Sequence, residues 1–209
     1  MPQVKKAGMR EAILAAAFDL FCRKGYTPTA MSEIARTAGM TVANLYVYFD
    51  SKLLILYEIY QPWLQQQLRV LRESVMKLRT PRAQLRRVFT GLWADIPAAD
   101  HCFANALIEA LSSAPTGMDK PVNLLVQVED FLNELLIEIL PPERATMVRE
   151  GLLSHVVWMA FDGFVINRRI GDLRDIEKIA DLMTDLLLGS ADTEKARSAR
   201  PRAPARQSS

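Results

Sequence analysis

The chain has 209 residues, half of them hydrophobic and 24% charged, which is the composition of a folded globular protein and not of a disordered one. It has two cysteines, no apolar run near the length of a membrane span and no signal-peptide segment, so we expect reduced thiols and a cytoplasmic protein. The net charge of +2 does not by itself indicate nucleic acid, although residues 1–60 and 190–209 are net basic and residues 61–189 net acidic.

Apolar residues recur with a helical period along the chain, and the short alternating runs typical of strands are absent. The first apolar stripe stops at Gly25, and residues 27–29 form a turn whose last residue can cap a second helix. Gly39 ends that short helix, Thr41 caps a third, and residues 50–51 cap a fourth. Longer helices are predicted over about 51–78, 81–96, 101–113, 120–140, 143–170 and 173–188.

Residues 29–46 have the spacing of a helix-turn-helix motif. Ala35 is small enough for two helices to cross closely, and Gly39 permits the positive φ of a tight turn. Leu45 and Phe49, with Met40, can anchor the third helix to the core and leave its other face free for a DNA groove. On spacing alone, an ordinary helical hairpin in a bundle fits equally well.

Several separate runs, in the right order, resemble the signature of the TetR family of transcriptional regulators. These runs are residues 17–21, 24–26, 34–41 and 45–52, so that the resemblance covers about residues 9–60. It implies an all-α protein of about nine helices, with a three-helix helix-turn-helix head at the N-terminus. A fourth helix then leads into a helical body that binds a ligand and dimerises through its last two helices.

We place the head at residues 1–50, the body at 51–189 and a disordered basic tail at 190–209. By position, the resemblance implies that the first residues of the third helix touch bases, while other head residues meet phosphate. The expected DNA-binding residues are Thr29, Thr41, Val42, Ala43, Asn44, Tyr46, Tyr48 and Lys52.

The third helix departs from the common family pattern because it has no lysine or arginine that could bind a guanine. Asn44 is its only strong base reader and suits an adenine edge, while Val42 and Ala43 could pack on thymine methyl groups. The sequence therefore predicts an operator that is rich in A·T at the contacted positions.

The body contains the aromatic and scattered polar residues of a ligand cavity, although for any one of these aromatic residues a place in the plain core is the more usual role. His155, Met159 and Asp162 share one helix face at helical spacing, and Asn105 and Glu109 are likewise four apart. The expected pocket residues are Trp93, Asn105, Glu109, His155, Trp158, Met159 and Asp162. The last two predicted helices have broad apolar faces, which indicate a partner, although they could also belong to a monomeric core. The family resemblance implies that the partner is the same pair of helices in a second copy of the chain.

These patterns predict a ligand-responsive regulator that binds double-stranded operator DNA as a homodimer. The family resemblance favours a repressor released by a small apolar or aromatic effector that tilts the fourth helix, in which Pro62 can localise bending. The alternative is a helix-turn-helix protein with a filled body and no effector. We expect no enzyme, cofactor, metal or membrane partner, because nucleotide, metal and nucleophile motifs are absent.

Overall fold

The computed structural model describes residues 2–99, 103–113, 123–171 and 174–189; the predicted tail lies outside these ranges. Throughout the described residues the secondary structure is helical, without strands, which confirms the all-α prediction. The α-helices are α1 (Pro2–Lys24), α2 (Met31–Thr37), α3 (Val42–Tyr46), α4 (Lys52–Met76), α5 (Pro81–Thr90), α6 (Ile96–Ala99), α7 (Phe103–Ser113), α8 (Asn123–Ile139), α9 (Pro142–Arg149), α10 (Leu152–Arg169) and α11 (Ile176–Leu188), and Gly91–Asp95 is a π-helical turn between α5 and α6.

The head is a small bundle in which α1 packs on α2 and α4, and α2 packs on α3. Its core is built by the apolar stripe predicted for α1, joined by one side of α2 and α3. The buried side chains of this core are Ile13, Ala16, Ala17, Leu20, Phe21, Tyr26, Ile34, Ala35, Leu45 and Phe49.

Helix α4 is the element shared by the head and the body, since it contacts α1 at one end and α5 and α7 further along. Its start is set by Ser51, whose Oγ accepts a hydrogen bond from the Leu54 N–H at 3.2 Å. The helix continues through Pro62 as one element of 25 residues. In the body, α5 packs on α4 and α11, and α10 packs on α7, α8 and α9.

The predicted single helix over about 143–170 is wrong, because the chain forms α9 and α10 separately there. Gly151 lies between them with a φ of +74°, a left-handed conformation that interrupts a right-handed helix and favours glycine. The predicted cap of α2 also shifts by one residue, because Ala30 occupies the N-cap position and Thr29 precedes it.

Cys22, near the end of α1, is disulfide-bonded, so the expectation of reduced thiols is wrong for this residue. The other cysteine of the sequence, Cys102, lies outside the described residues. None of the described helices is both long enough and apolar enough to cross a bilayer.

Candidate nucleic-acid interface and body cavities

The turn between α2 and α3 has the geometry that the sequence predicts. Gly39 has a φ of +71°, and the Met40 N–H donates to the Ala35 carbonyl at 2.9 Å, which closes the end of α2. The Thr41 Oγ then accepts a hydrogen bond from the Asn44 N–H at 3.2 Å and caps α3. These local bonds fix the angle at which α3 leaves the motif.

Helix α3 is held from one side only. Leu45 is fully buried and Phe49, just beyond the helix, is 2% exposed, so both anchor the segment to the head core. Thr41, Val42, Ala43 and Asn44 are all exposed on the opposite side. The structure thus brings the four predicted base-contacting residues together on one open surface, as a helix entering a DNA groove requires.

Around this surface lie residues that can meet phosphate. Tyr46 is 49% exposed, whereas Tyr48 is half-buried against the head core. Arg36, in the last turn of α2, is exposed and makes no ion pair with any described residue. Arg36 was not among the residues predicted from sequence, although a basic residue directly after the buried Ala35 places a positive charge on the outer face of α2.

Two of the residues predicted to contact phosphate, Thr29 and Lys52, make hydrogen bonds within the head. Thr29 is only 1% exposed, and its hydroxyl donates to the Gly25 carbonyl at 2.8 Å. The Lys52 Nζ donates to the Tyr26 and Thr29 carbonyls, both at 2.7 Å, and to the Thr27 carbonyl at 3.3 Å. Because an ammonium has three N–H donors, these carbonyls leave none directed at DNA.

Lys52 instead organises the loop between α1 and α2. Its Nζ lies 4.1 Å from the centre of the Tyr26 ring, a cation–π contact that adds to the carbonyl bonds. Burial lowers the pKa of Lys52, and the carboxylate of Glu109 acts in the opposite direction. Burial also raises the pKa of Tyr26 to about 12. The lysine therefore positions the loop that precedes the helix-turn-helix.

Glu109 joins the same loop to the body. Its carboxylate, on α7, accepts hydrogen bonds from the Tyr26 and Thr27 backbone N–H groups at 3.0 and 3.1 Å. A Cβ atom added at Gly25 would lie only 3.3 Å from the nearer carboxylate oxygen. We call Glu109, Lys52 and loop residues 25–29 the junction cluster. Glu109 thus lies where head and body meet, and the two body cavities described below are lined by other residues.

A cavity of about 200 Å³ lies between α4, α7, α8 and α10. It brings together four of the predicted pocket residues, His155, Trp158, Met159 and Asp162. The rest of its wall is mostly aliphatic, and we call it the α10 cavity. It is lined by Tyr57, Leu107, Ile108, Leu111, Leu124, Leu125, His155, Trp158, Met159 and Asp162.

The remaining two predicted pocket residues lie elsewhere. Trp93 is core: its indole N–H donates to the Val157 carbonyl at 3.1 Å, and its ring stacks on Phe89 with centroids 4.8 Å apart. Asn105 is half-buried on α7 and lines neither the α10 cavity nor the wider groove between α4 and α8. That groove, of about 440 Å³, is open to solvent and has Gln65, Gln127 and other polar groups along it.

Two titratable groups distinguish the α10 cavity. His155 Nδ1 lies 2.5 Å from a carboxylate oxygen of Glu129. Asp162 is half-buried and has no hydrogen bond or ion pair with a described residue, and burial raises its pKa to about 6. The described residues contain no group of three or more His, Cys, Asp or Glu side chains placed to hold a metal ion.

One face of α10 is apolar and exposed. Its residues recur every three or four positions, and α11 adds two more exposed leucines. At the middle of the stripe is Gly163, where an added Cβ would meet nothing within 4 Å. The exposed residues of the stripe are Leu152, Val156, Met159, Ile166 and Ile170, with the half-buried Gly163 between them and Leu182 and Leu186 on α11.

Comparison with known proteins shows to which family this architecture belongs. Residues 13–59 match the family model described as bacterial regulatory proteins, tetR family. The HTH-type transcriptional regulator RutR of Escherichia coli K12 is 33% identical over 153 residues, which cover 71% of this chain and 70% of RutR. The chain belongs to the TetR family. The family model covers the whole helix-turn-helix and the start of α4, and the RutR match extends well into the body.

Solved TetR-family structures share the fold. Thermus thermophilus FadR, a repressor in complex with lauroyl-CoA, is 23% identical with a TM-score of 0.58, covering 95% of this chain and 100% of FadR. Bacillus subtilis FadR, in complex with stearoyl-CoA, is 19% identical with a TM-score of 0.56, covering 86% of this chain and 98% of that one. These likenesses extend the shared fold through the helical body.

Proposed function

We propose that this TetR-family chain is a dimeric repressor that binds operator DNA and is released by a small molecule bound in the α10 cavity. The observation that carries the proposal is the one-sided anchoring of α3, which leaves Thr41, Val42, Ala43 and Asn44 exposed above a buried Leu45. The relatives named above are transcriptional regulators, which supports a regulatory and not a catalytic role. Its place of action would be the cytoplasm, where the operator lies.

In this proposal Asn44 binds an adenine edge, and Val42 and Ala43 pack on thymine methyl groups. Tyr46, Tyr48 and Arg36 contact phosphates, which positions the helix but does not select sequence. The absence of lysine and arginine from Val42–Tyr46 supports an operator rich in A·T at the contacted base pairs.

The dimer interface would be the apolar stripe of α10 together with α11. An exposed stripe of this length is costly in water, and a two-fold partner would cover it with the same residues. Gly163 would let the two copies of α10 approach closely where they cross. Two heads held in this way would read half-sites separated by whole helical turns of DNA.

Ligand would act on the heads through α7 and α4. Helix α7 contributes Leu107, Ile108 and Leu111 to the cavity and Glu109 to the junction cluster, so both contacts move with one rigid element. Helix α4 contributes Tyr57 to the cavity and Lys52 to the same cluster. Ligand that favours one arrangement of these helices would change the placement of the heads.

The domain division proposed here is a head of residues 1–50 and a body of residues 51–189.

The long-chain acyl-CoA ligands of the two FadR structures support a small-molecule site within the body. They do not identify the ligand here, and the α10 cavity, at about 200 Å³, is below the ~300–1,000 Å³ of most drug-sized sites.

The test is selection of bound fragments from the source genome, followed by affinity measurements on the recovered operator in the presence of candidate ligands. The proposal predicts a shared, two-fold symmetric and A·T-rich sequence, and its release by a compound that also raises the melting temperature. Fragments without a shared sequence would overturn the DNA-binding role. Tight operator binding that no compound changes would favour a regulator whose body is packed with side chains and binds no effector.

A further inference from the structure

We propose that the α10 cavity binds a small organic cation, an ammonium group on an apolar body, with Asp162 as its counter-ion. This inference rests on the proposed function, because it names the chemical class of the effector. Few kinds of side chain carry it: one carboxylate, two aromatic rings and an aliphatic wall.

The charge balance of the cavity points to a cation. Asp162 lies in its wall without a hydrogen bond or ion pair to any described residue, and none of the ten lining residues is lysine or arginine. His155 does not offset the charge, since its Nδ1 lies 2.5 Å from the carboxylate of Glu129. An ionised carboxylate among apolar groups is costly unless it is paired, so a cationic ligand would relieve this cost.

The walls suit the rest of such a ligand. Tyr57 and Trp158 present aromatic rings, whose faces attract ammonium groups. The Trp158 ring stacks on Phe161 with centroids 4.4 Å apart, which holds it in place. Leu107, Ile108 and Leu111 provide an aliphatic surface for an apolar body, and the volume of about 200 Å³ limits the ligand to a small molecule.

A neutral ligand that accepts a hydrogen bond from a protonated Asp162 is the competing chemistry. Burial raises the pKa of Asp162 to about 6, so the group is mostly ionised at pH 7.5 and can donate only a small fraction of the time. At that pH the cavity therefore favours an ammonium over a neutral polar group of the same shape.

The experiment compares three probes of similar shape at pH 7.5: 2-phenylethylamine, 2-phenylethanol and phenylacetate. Calorimetry on the wild-type dimer should show the amine binding about tenfold or more tighter than the alcohol, as expected for a charge-assisted contact, and no phenylacetate binding. Asp162→Asn keeps the size and should lower amine affinity about tenfold while leaving the alcohol within about twofold. Glu143→Gln, at an exposed residue of α9, is the matched control and should change neither affinity.

Equal affinity for amine and alcohol, an unchanged amine affinity in Asp162→Asn, or no binding of the amine would each overturn the cation assignment. Operator affinity is measured in parallel, which separates this inference from the proposed function. A neutral compound that binds the protein and releases it from the operator would support the ligand-responsive repressor and overturn only the assignment of a cationic ligand.

Discussion

Replacing Glu109 by alanine should loosen the attachment of the head to the body. The variant removes the acceptor of two hydrogen bonds, from the Tyr26 and Thr27 N–H groups at 3.0 and 3.1 Å. Bonds to a charged group contribute ~1.5–3 kcal/mol each when well buried. Because Glu109 is half-buried and Thr27 is exposed, solvent screening reduces this to ~1 kcal/mol each, or ~2 kcal/mol for the pair.

The assay is urea unfolding at one fixed dimer concentration, together with operator affinity by fluorescence anisotropy. We expect Glu109→Ala to lower the free energy of unfolding by ~2 kcal/mol and to weaken operator binding by roughly three- to tenfold, because a loosened head must be ordered on DNA. Glu109→Gln keeps one carbonyl acceptor, so its free energy of unfolding and its operator affinity should lie between those of wild type and Glu109→Ala. Glu143→Ala, at an exposed position of α9, should match wild type. Wild-type stability and operator affinity in Glu109→Ala would refute the coupling role of the junction cluster.

Four further predictions concern the exposed face of α3, the junction cluster, the apolar stripe of α10 and the α10 cavity. Asn44→Ala should cost ~1–3 kcal/mol at a single operator base pair and leave the others unchanged in a base-substitution scan. Lys52→Met should lower the melting temperature but leave the slope of log operator affinity against log salt concentration unchanged, because the Lys52 Nζ donates to three carbonyls. A slope reduced by about one would show that Lys52 contacts a DNA phosphate. Val156→Glu should convert the dimer into a monomer in analytical ultracentrifugation, and a persistent dimer would place the interface elsewhere. The pKa of Asp162 is higher in the folded protein, about 6, than its ordinary 3.8, so its unfavourable contribution is full above pH 6 and fades as pH falls toward 4. Asp162→Asn should therefore stabilise by ~1–2 kcal/mol at pH 8 and hardly at pH 4, with Tyr57, His155 and Glu129 as the neighbouring titratable groups.

The head could be predicted from sequence because its signals are local. The positive φ of Gly39, the Thr41 cap and the burial of Leu45 and Phe49 all depend on residues within a few positions. The break at Gly151 was missed because the apolar pattern continues on both sides of it. Glycine in a helical pattern signals a break only when its φ turns positive, and sequence does not report φ.

The roles of the junction cluster could not be predicted in the same way. Glu109 and Tyr26 are 83 residues apart, and only the packing of α7 on α1 brings them together. Lys52 was assigned to DNA by position in the family, whereas its surroundings supply three carbonyls and the Tyr26 ring. Long polar side chains take the partner that the fold provides, and periodicity carries no information about it.

The residues that line the α10 cavity could be predicted from sequence only in part. Helical spacing correctly placed His155, Met159 and Asp162 on one face of α10, since that spacing is a property of the helix itself. Trp93 satisfied the same compositional expectation but lies in the core, because its indole N–H finds the Val157 carbonyl there. Composition shows that aromatic residues are present, and only packing decides which of them face an empty volume.

The most direct test of the central claim, that the exposed face of α3 reads DNA, is the affinity of the purified dimer for its selected operator and for a scrambled duplex of equal length, across a range of salt. We predict that the affinity for both duplexes falls steeply as the salt concentration rises, and that the operator is bound about 10³-fold or more tighter than the scrambled duplex. Asn44→Ala should reduce this ratio of the two affinities. Equal affinity for the two duplexes, or none that depends on salt, would contradict the claim.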